Sequence, residues 1–288
     1  MNRGVLYAAG AYTIWGLLPL FWKALVNVPE LETLAHRVVW ALLVAFGLNL
    51  IRRESWARLM VALRDRRTIL IFVLTAALLS FNWGLYIWAV NDNHVVETSL
   101  GYFINPLLNV FLGVAFLRER LRPGQAVAIA VALAGVLFLT VTYGAPPWIA
   151  LGLAASFGLY GLLRKTAPLA SLEGFTLESM VMFPPALAFL IYTAFTSGGV
   201  LFHADLGVNL LLISTGLITA APLLLFAAGA RMVTMTTLGL LQYIAPTMQF
   251  SLGVLVYGEA LTPERLIGFI IVWIALLIYS VEGVIRQR

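Results

Sequence analysis

The sequence contains no cysteine and few charged residues. The lack of cysteine excludes disulfides, thiolate metal sites and cysteine nucleophiles. Only 11% of the 288 residues are charged and 61% are hydrophobic, whereas about a quarter of the residues in a soluble domain are charged. The mean hydropathy is +0.95. This composition excludes a water-soluble globular protein and indicates an integral membrane protein.

The sequence also lacks the short motifs of common enzymes and pumps. It has no Walker A loop, no His-Glu-x-x-His pair and no Gly-x-Ser-x-Gly turn. The three histidines are too scattered to share one helix, so we expect neither a metal site nor a cofactor. The net charge of +5 comes from basic residues between apolar runs, which argues against nucleic acid as a partner. We expect a non-enzyme whose partners are the lipid bilayer and a small-molecule substrate.

Ten apolar segments are predicted to cross the membrane as helices, for which about 20 residues suffice. They are residues 4–25, 34–51, 68–90, 95–117, 124–143, 148–163, 175–195, 208–230, 236–257 and 266–285. The first resembles a signal peptide, but it carries Pro19 and Lys23 and no small-residue cleavage motif follows it. We therefore expect it to be retained. The segments between the spans are too short to hold a soluble domain.

Basic residues indicate the orientation of the chain, because Lys and Arg are retained on the cytoplasmic side. With the N-terminus inside, 15 of the 18 fall in cytoplasmic segments, and the exceptions are Lys23, Arg37 and Arg265. The terminal Arg286 and Arg288 favour an even number of spans with both termini cytoplasmic. The arginine-rich segment 52–67 is predicted to be a solvated loop, and a short amphipathic helix at the membrane interface is the alternative.

The chain repeats itself weakly in two halves. A shift of 140 residues aligns Pro106 with Pro246 and Glu119 with Glu259. Each half contains five spans, and because five is odd the second half must start from the opposite side of the membrane. The chain is therefore predicted to be an all-α polytopic protein of two inverted five-helix repeats. These repeats are residues 1–143 and 144–288.

Polar side chains within the spans form two matching stripes. Tyr102, Asn105 and Asn109 share one face of the fourth span, and Gln242 and Gln249 occupy matching positions in the ninth. Polar groups are rarely placed facing lipid, because an unpartnered polar group there costs energy. The two stripes predict a shared central path for a solute, and hydrogen bonding between helices is the alternative interpretation.

Aromatic residues near these stripes predict the wall of a binding cavity for an amphipathic or aromatic small molecule. The expected stacking residues are Trp15, Trp83, Tyr86, Tyr102, Tyr160 and Tyr243. The expected hydrogen-bonding residues are Asn82, Asn105, Asn109, Gln242 and Gln249. Pro106 and Pro246 are predicted to kink their helices beside the path. Trp22, Trp148 and Trp273, near span ends, are expected in the interfacial belt.

Charged residues within the spans are few. Arg37 and Glu178 both fall early in the second span of their half, so a pair between them is one prediction. Snorkelling of Arg37 to the outer boundary is the other. Glu178 is the acidic residue placed deepest in an apolar span, whereas Glu97 and His36 lie near an outer edge. A proton-driven carrier needs a titratable group in its path. Because the spans contain so few such groups, we expect facilitated or only weakly proton-linked transport.

Four stretches of the chain carry a family resemblance. They are GAYTIWGLLPLFWKAL (10–25), LAHRVVWALL (34–43), SFNWGLYIWAVNDNHVVETSLGYFINPLLNVFLGVAFLRERL (80–121) and ASFGLYGLLRK (155–165). They resemble RarD-type permeases of the EamA group in the drug/metabolite transporter superfamily. The resemblance implies ten helices in two EamA repeats that move small metabolites or drugs across the bacterial inner membrane. A membrane-embedded enzyme or a small-molecule sensor is the alternative, although no cluster of acid and base residues supports it.

Overall fold

The computed structural model describes residues 2–92, 94–196, 198–201, 203–258 and 263–285. Over these ranges the chain forms twelve α-helices and no strand. They are α1 (Arg3–Lys23), α2 (Glu30–Ile51), α3 (Arg53–Ala62), α4 (Arg66–Asn91), α5 (Val95–Leu117), α6 (Pro123–Tyr143), α7 (Trp148–Thr166), α8 (Ser171–Thr196), α9 (Leu206–Met232), α10 (Met235–Gln242), α11 (Ile244–Leu255) and α12 (Pro263–Ile285). Glu259, Arg286 and Arg288, which entered the repeat and orientation predictions, lie outside the described residues.

Each of the ten predicted segments is helical. Nine of them are single helices whose ends lie within four residues of the predicted limits, and the other is divided into α10 and α11 at Tyr243. In the described part of the chain, eight segments are long and apolar enough to cross a bilayer. The helix α7, which carries Arg164 and Lys165 in its last turn, is not among the eight. The chain is thus an all-helical, multi-pass membrane protein.

The arginine-rich segment after α2 forms a helix, so the prediction of a solvated loop was wrong. The helix α3 buries Ser55, Leu59 and Ala62, which share one face because they are spaced at i, i+4 and i+7. On the exposed side, Arg58 Nη2 lies 2.6 Å from Glu173 Oε1 at the start of α8. The apolar face and this ion pair hold α3 against the bundle, which a solvated loop would not require.

Helices from before residue 143 pack mainly against helices from after it. The helix α1 packs on α9 and α11, α2 on α8 and α9, α4 on α7 and α8, α5 on α7 and α10, and α6 on α12. Glycine permits the closest approaches: a Cβ atom added to Gly216 would overlap the carbonyl carbon of Trp40. Small residues at such contacts are typical of membrane bundles, because they let helix backbones come close.

A chain of amide hydrogen bonds joins α5, α7 and α10 in the interior. Asn109 Nδ2 donates to Gln242 Oε1 at 2.8 Å and to Asn105 Oδ1 at 3.1 Å. Asn105 Nδ2 donates in turn to the carbonyl oxygen of Ala154 at 2.9 Å. All three amide side chains are buried. Interhelical hydrogen bonding, the alternative interpretation of the polar stripes, therefore accounts for this part of them.

The two prolines predicted to kink their helices act differently. The ninth span is interrupted between Gln242 and Ile244, and Pro246, which has no N–H, leaves the carbonyl oxygen of Gln242 without a helical donor. The helix α5 continues through Pro106 without a break. A Cβ atom added to Gly239 would lie 2.5 Å from the carbonyl oxygen of Pro106, so α10 packs directly on α5 at this proline.

Replacing Asn109 by Leu should lower the free energy of unfolding, because Gln242 Oε1 and Asn105 Oδ1 would lose their donor. Interhelical hydrogen bonds average about 0.6 kcal/mol in membranes, and an unpaired buried polar group costs about 1–3 kcal/mol, so we expect a loss of about 1 kcal/mol. Denaturant unfolding of the purified protein in mixed micelles measures this loss in the free energy of unfolding.

A double-mutant cycle with Gln242→Leu isolates the bond between Asn109 and Gln242. We expect a coupling energy of at least about 0.5 kcal/mol. The matched control is Thr142→Leu, which replaces an exposed polar side chain of α6 by the same residue. Strict additivity of the two substitutions would contradict a direct contribution of this hydrogen bond to stability.

Candidate functional site

A cavity of about 260 Å³ lies at the centre of the bundle, bounded by α1, α2, α4, α5, α7, α9, α10 and α11. It contains eight of the eleven residues predicted to bind a solute. These are Trp15, Asn82, Trp83, Tyr86, Tyr102, Asn105, Gln242 and Gln249. Pro246 also lines the cavity. The structure therefore brings most of the predicted aromatic and amide side chains together around one cavity.

Asn109, Tyr160 and Tyr243 lie behind the cavity wall. Asn109 belongs to the amide chain described above, and the ring of Tyr160 stacks on Phe226 with centroids 6.0 Å apart. The hydroxyl of Tyr243 donates to the carbonyl oxygen of Phe103 at 3.2 Å. Successive residues of a helix point about 100° apart, so Tyr243 turns away from the cavity that the preceding residue faces. None of these three residues lines the cavity, and their role in binding a solute stays a prediction.

Several residues not predicted for the site also line the cavity, including Tyr12, Trp22 and Phe157. Trp22, which was expected in the interfacial belt, lines the cavity. Tyr12, Trp15 and Trp22 are spaced at i, i+3 and i+10, so they lie on one face of α1. That spacing could have identified Tyr12 and Trp22 from the sequence. The rings of Trp15 and Phe157 meet edge to face with centroids 5.6 Å apart.

Arg37 faces the cavity and does not pair with Glu178. Arg37 Nε donates to Thr219 Oγ1 of α9 at 3.1 Å. Glu178 is buried away from the cavity, where its Oε1 lies 3.6 Å from Arg164 Nε and its Oε2 accepts a hydrogen bond from the Tyr160 hydroxyl at 3.4 Å. The predicted pair between Arg37 and Glu178 is therefore replaced by two separate arrangements.

The direction of packing between α2 and α8 explains why this pair is absent. Asn49 Nδ2, near the end of α2, donates to Thr176 Oγ1, near the start of α8, at 2.7 Å. Arg37 precedes Asn49 by twelve residues, which corresponds to about 18 Å along a helix. Glu178 is only two residues beyond Thr176. Equal positions in the two helices thus lie far apart, because the end of one helix meets the start of the other.

The end of the bundle opposite the cavity is closed by hydrogen bonds. Glu119, just after α5, accepts from the backbone N–H groups of Met235 at 2.6 Å and Thr236 at 3.0 Å. A carboxylate is favoured there because the first N–H groups of a helix have no partner within the helix. Lys165 Nζ donates to the carbonyl oxygens of Ala230, at 2.9 Å, and Val233. These bonds connect the ends of α5, α7 and α9 to the start of α10.

The cavity wall suits binding rather than bond breaking. Among the described residues that line it, Arg37 is the one charged side chain, and no aspartate, glutamate, lysine or histidine accompanies it. No group of residues suited to hold a metal ion occurs in the described part of the chain. The wall offers aromatic rings, amide groups and one guanidinium group, which are groups that can hold an organic solute.

Comparisons with known proteins give one family. The EamA-like transporter family matches residues 2–141. Protein RarD of Streptomyces exfoliatus is 48% identical, over 100% of this chain and 91% of that protein. Protein RarD of Escherichia coli (strain K12) is 41% identical, over 100% of this chain and 97% of that protein. A Vibrio cholerae protein named an uncharacterized transporter is 44% identical, over 98% of this chain and 93% of that protein.

A protein of known crystal structure shares the fold. It is 19% identical to this chain and superposes with a TM-score of 0.72 over 97% of this chain and 98% of its own. The sequence similarity to the RarD proteins extends over the full length of this chain, including its second half. The chain belongs to the EamA-like transporter family, among its RarD-type permeases.

Proposed function

We propose that this protein is a secondary carrier or facilitator that moves a small amphipathic or aromatic solute across the bacterial inner membrane by alternating access. The observation that carries the proposal is the central cavity, which is lined by aromatic and amide side chains from both halves of the chain. The names of its relatives as transporters support it. An enzyme has no comparable support, because the described cavity wall holds no acid and base pair, and a sensor has none, because these relatives are named transporters.

The pattern of helix packing supports two inverted repeats, residues 1–143 and 144–288. In this proposal α1, α2, α4, α5 and α6 correspond to α7, α8, α9, the α10–α11 pair and α12. The contact of α1 with α9 then matches that of α7 with α4, and the contact of α5 with α7 matches that of α11 with α1. The pairs α2–α8, α5–α10 and α6–α12 map onto themselves. A pseudo-two-fold axis in the membrane plane requires such matching.

The closed end of the bundle corresponds to the cytoplasmic side in the orientation that the basic residues favour. Glu119 and Lys165 seal this end, next to segments that carry Arg118, Arg120 and Arg231. The cavity then lies in the periplasmic half of the bundle. In the proposed cycle, this conformation has its cytoplasmic gate closed, with both termini in the cytoplasm and ten spans in all.

The carrier proposal predicts that Asn105→Leu and Gln242→Leu abolish uptake while the protein remains inserted in the membrane, because both remove amide groups from the cavity wall. The solute is first identified by metabolite profiling of cells with and without the gene. Its uptake is then measured in proteoliposomes, with Thr142→Leu on α6 as the matched control. If no solute moves under any gradient while a lipid or small molecule is chemically converted, the carrier proposal fails.

Topology can be tested without knowing the solute. Reporter fusions at residues 92, 145, 203 and 261 should report a periplasmic location, and fusions at residues 60, 121, 168, 232 and 288 a cytoplasmic one. The reason is that each half has five spans, so corresponding loops lie on opposite sides of the membrane. Alkaline phosphatase and green fluorescent protein fusions measure the two locations. Opposite signals at residues 203 and 232 would contradict the inverted repeat.

We predict that Glu178→Gln leaves the pH dependence of uptake unchanged between about pH 5 and 8. Glu178 is buried beside Arg164 and does not line the cavity, so its protonation cannot alternate with direct solute contact. Removing one partner of a buried ion pair is destabilising, and the double variant Glu178→Gln/Arg164→Gln therefore serves as the second test. Proton uptake that is stoichiometric with solute and lost in both variants would identify Glu178 as a proton relay.

A further inference from the structure

Arg37 carries the single positive charge of the described cavity wall, and this charge has no carboxylate partner there. Its Nε donates to Thr219 Oγ1 at 3.1 Å. Within the residues that the structure describes, Nη1 and Nη2 donate no hydrogen bond. A charge at membrane depth is costly and is expected to pair, to reach the interface or to serve a solute path. Because Arg37 faces the cavity, its two terminal nitrogens are available to a solute.

Two indole rings hold the guanidinium group in place. The guanidinium carbon of Arg37 lies 4.5 Å from the ring centroid of Trp83 and 4.9 Å from that of Trp22. Cation–π contacts of this kind position an arginine while leaving its N–H groups free for hydrogen bonds. Because Nε donates to Thr219, the edge of the guanidinium group that remains free is the one formed by Nη1 and Nη2. That edge matches the two oxygens of a carboxylate, which it can bind through two parallel hydrogen bonds.

Two amides of the wall already donate to the protein. Asn82 Nδ2 donates to the carbonyl oxygen of Leu153 and to Ser156 Oγ, both at 2.9 Å. Gln249 Nε2 donates to the carbonyl oxygen of Trp15 at 3.1 Å. Both N–H groups of Asn82 are thus used, and an amide oxygen cannot donate to an anion. The terminal nitrogens of Arg37 are thus the charged donors that the wall offers.

We propose that the solute is an organic monocarboxylate whose carboxylate binds the Nη1 and Nη2 edge of Arg37 and whose apolar or aromatic body packs among the rings of Trp15, Trp83 and Phe157. This inference rests on the proposed carrier function and names its substrate class. One carboxylate neutralises the single charge of the wall. A cationic solute would place two like charges together in a space of low dielectric constant, which is unfavourable.

Three probes with the same body and different head groups test the charge preference. They are 3-phenylpropionate, 3-phenylpropanamide and 3-phenylpropylamine, and their binding to the full-length protein in nanodiscs is measured by quenching of tryptophan fluorescence. The carboxylate should bind at least about tenfold more tightly than the amide, since hydrogen bonds to charged groups are the stronger ones. The amine should show no binding.

Variants of Arg37 assign the preference to its guanidinium group. Arg37→Gln should bind the carboxylate and the amide equally, and Arg37→Lys, which keeps the charge but loses the two-pronged geometry, should retain a smaller preference. Arg120→Gln removes an exposed arginine outside the cavity and should behave as the unmodified protein. If Arg37→Gln does not fold, the Arg37→Lys variant still separates geometry from charge.

The inference is overturned if the amide or the amine binds as tightly as the carboxylate, if no probe binds, or if Arg37→Gln keeps the preference. Proteoliposome uptake separates this outcome from failure of the carrier proposal. Uptake of an amine or an amide in preference to the carboxylate would leave the carrier intact and overturn the monocarboxylate. Carboxylate binding that depends on Arg37, in a protein that moves no solute, would support the site and overturn the carrier.

Discussion

Polar groups within a bilayer have no water to bond, so each must find a partner inside the protein, and this constraint organises the bundle. Asn105 and Asn109 of α5, Gln242 of α10 and the backbone of Ala154 in α7 form one chain of such bonds across three helices. Asn49 and Thr176 do the same between α2 and α8. Without a hydrophobic driving force between helices in lipid, such bonds and close glycine contacts select which helices become neighbours. Most of these bonds join helices that are far apart in sequence, which interleaves the two halves of the chain.

This constraint is incompletely met at the cavity wall, as it is at other buried atoms of the described structure such as Asn109 Oδ1 and Ser179 Oγ. Along the cavity wall, the amides of Asn82 and Gln249 bond to other helices through their nitrogen atoms, and no bond is shown for their oxygen atoms in the described structure. Arg37 bonds through one nitrogen of three. The hydroxyl of Tyr12, another lining residue, is buried with no partner in the described structure. In the proposed carrier, a solute with complementary groups would complete these bonds, so the proposed capacity to bind follows from the way in which the helices pack.

The sequence predicts the helices well because apolar runs measure the thickness of the hydrocarbon region directly. It also predicts the polar stripe of α5, since residues at helical spacing share a face whatever surrounds them. It failed where the answer depends on neighbours. Arg37 was matched with Glu178 by position alone, whereas the end of α2 meets the start of α8 and brings Glu178 beside Arg164. The hydrogen bond between Arg37 and Thr219 was likewise not predicted, because the two residues are 182 positions apart in the sequence.

Polar contacts at the end of the bundle and polar contacts buried in its interior differ in how readily they can break. Glu119 bonds to the start of α10 at the end of the bundle, where its carboxylate can exchange protein N–H groups for water at a net cost of about 1 kcal/mol per hydrogen bond. The buried pair of Arg164 and Glu178 has no such exchange, because separating it leaves unpaired charges in the interior. For a carrier of the proposed kind, the contacts of Glu119 are therefore suited to open and close. The buried pair and the central amides are suited to remain intact while the helices move around them.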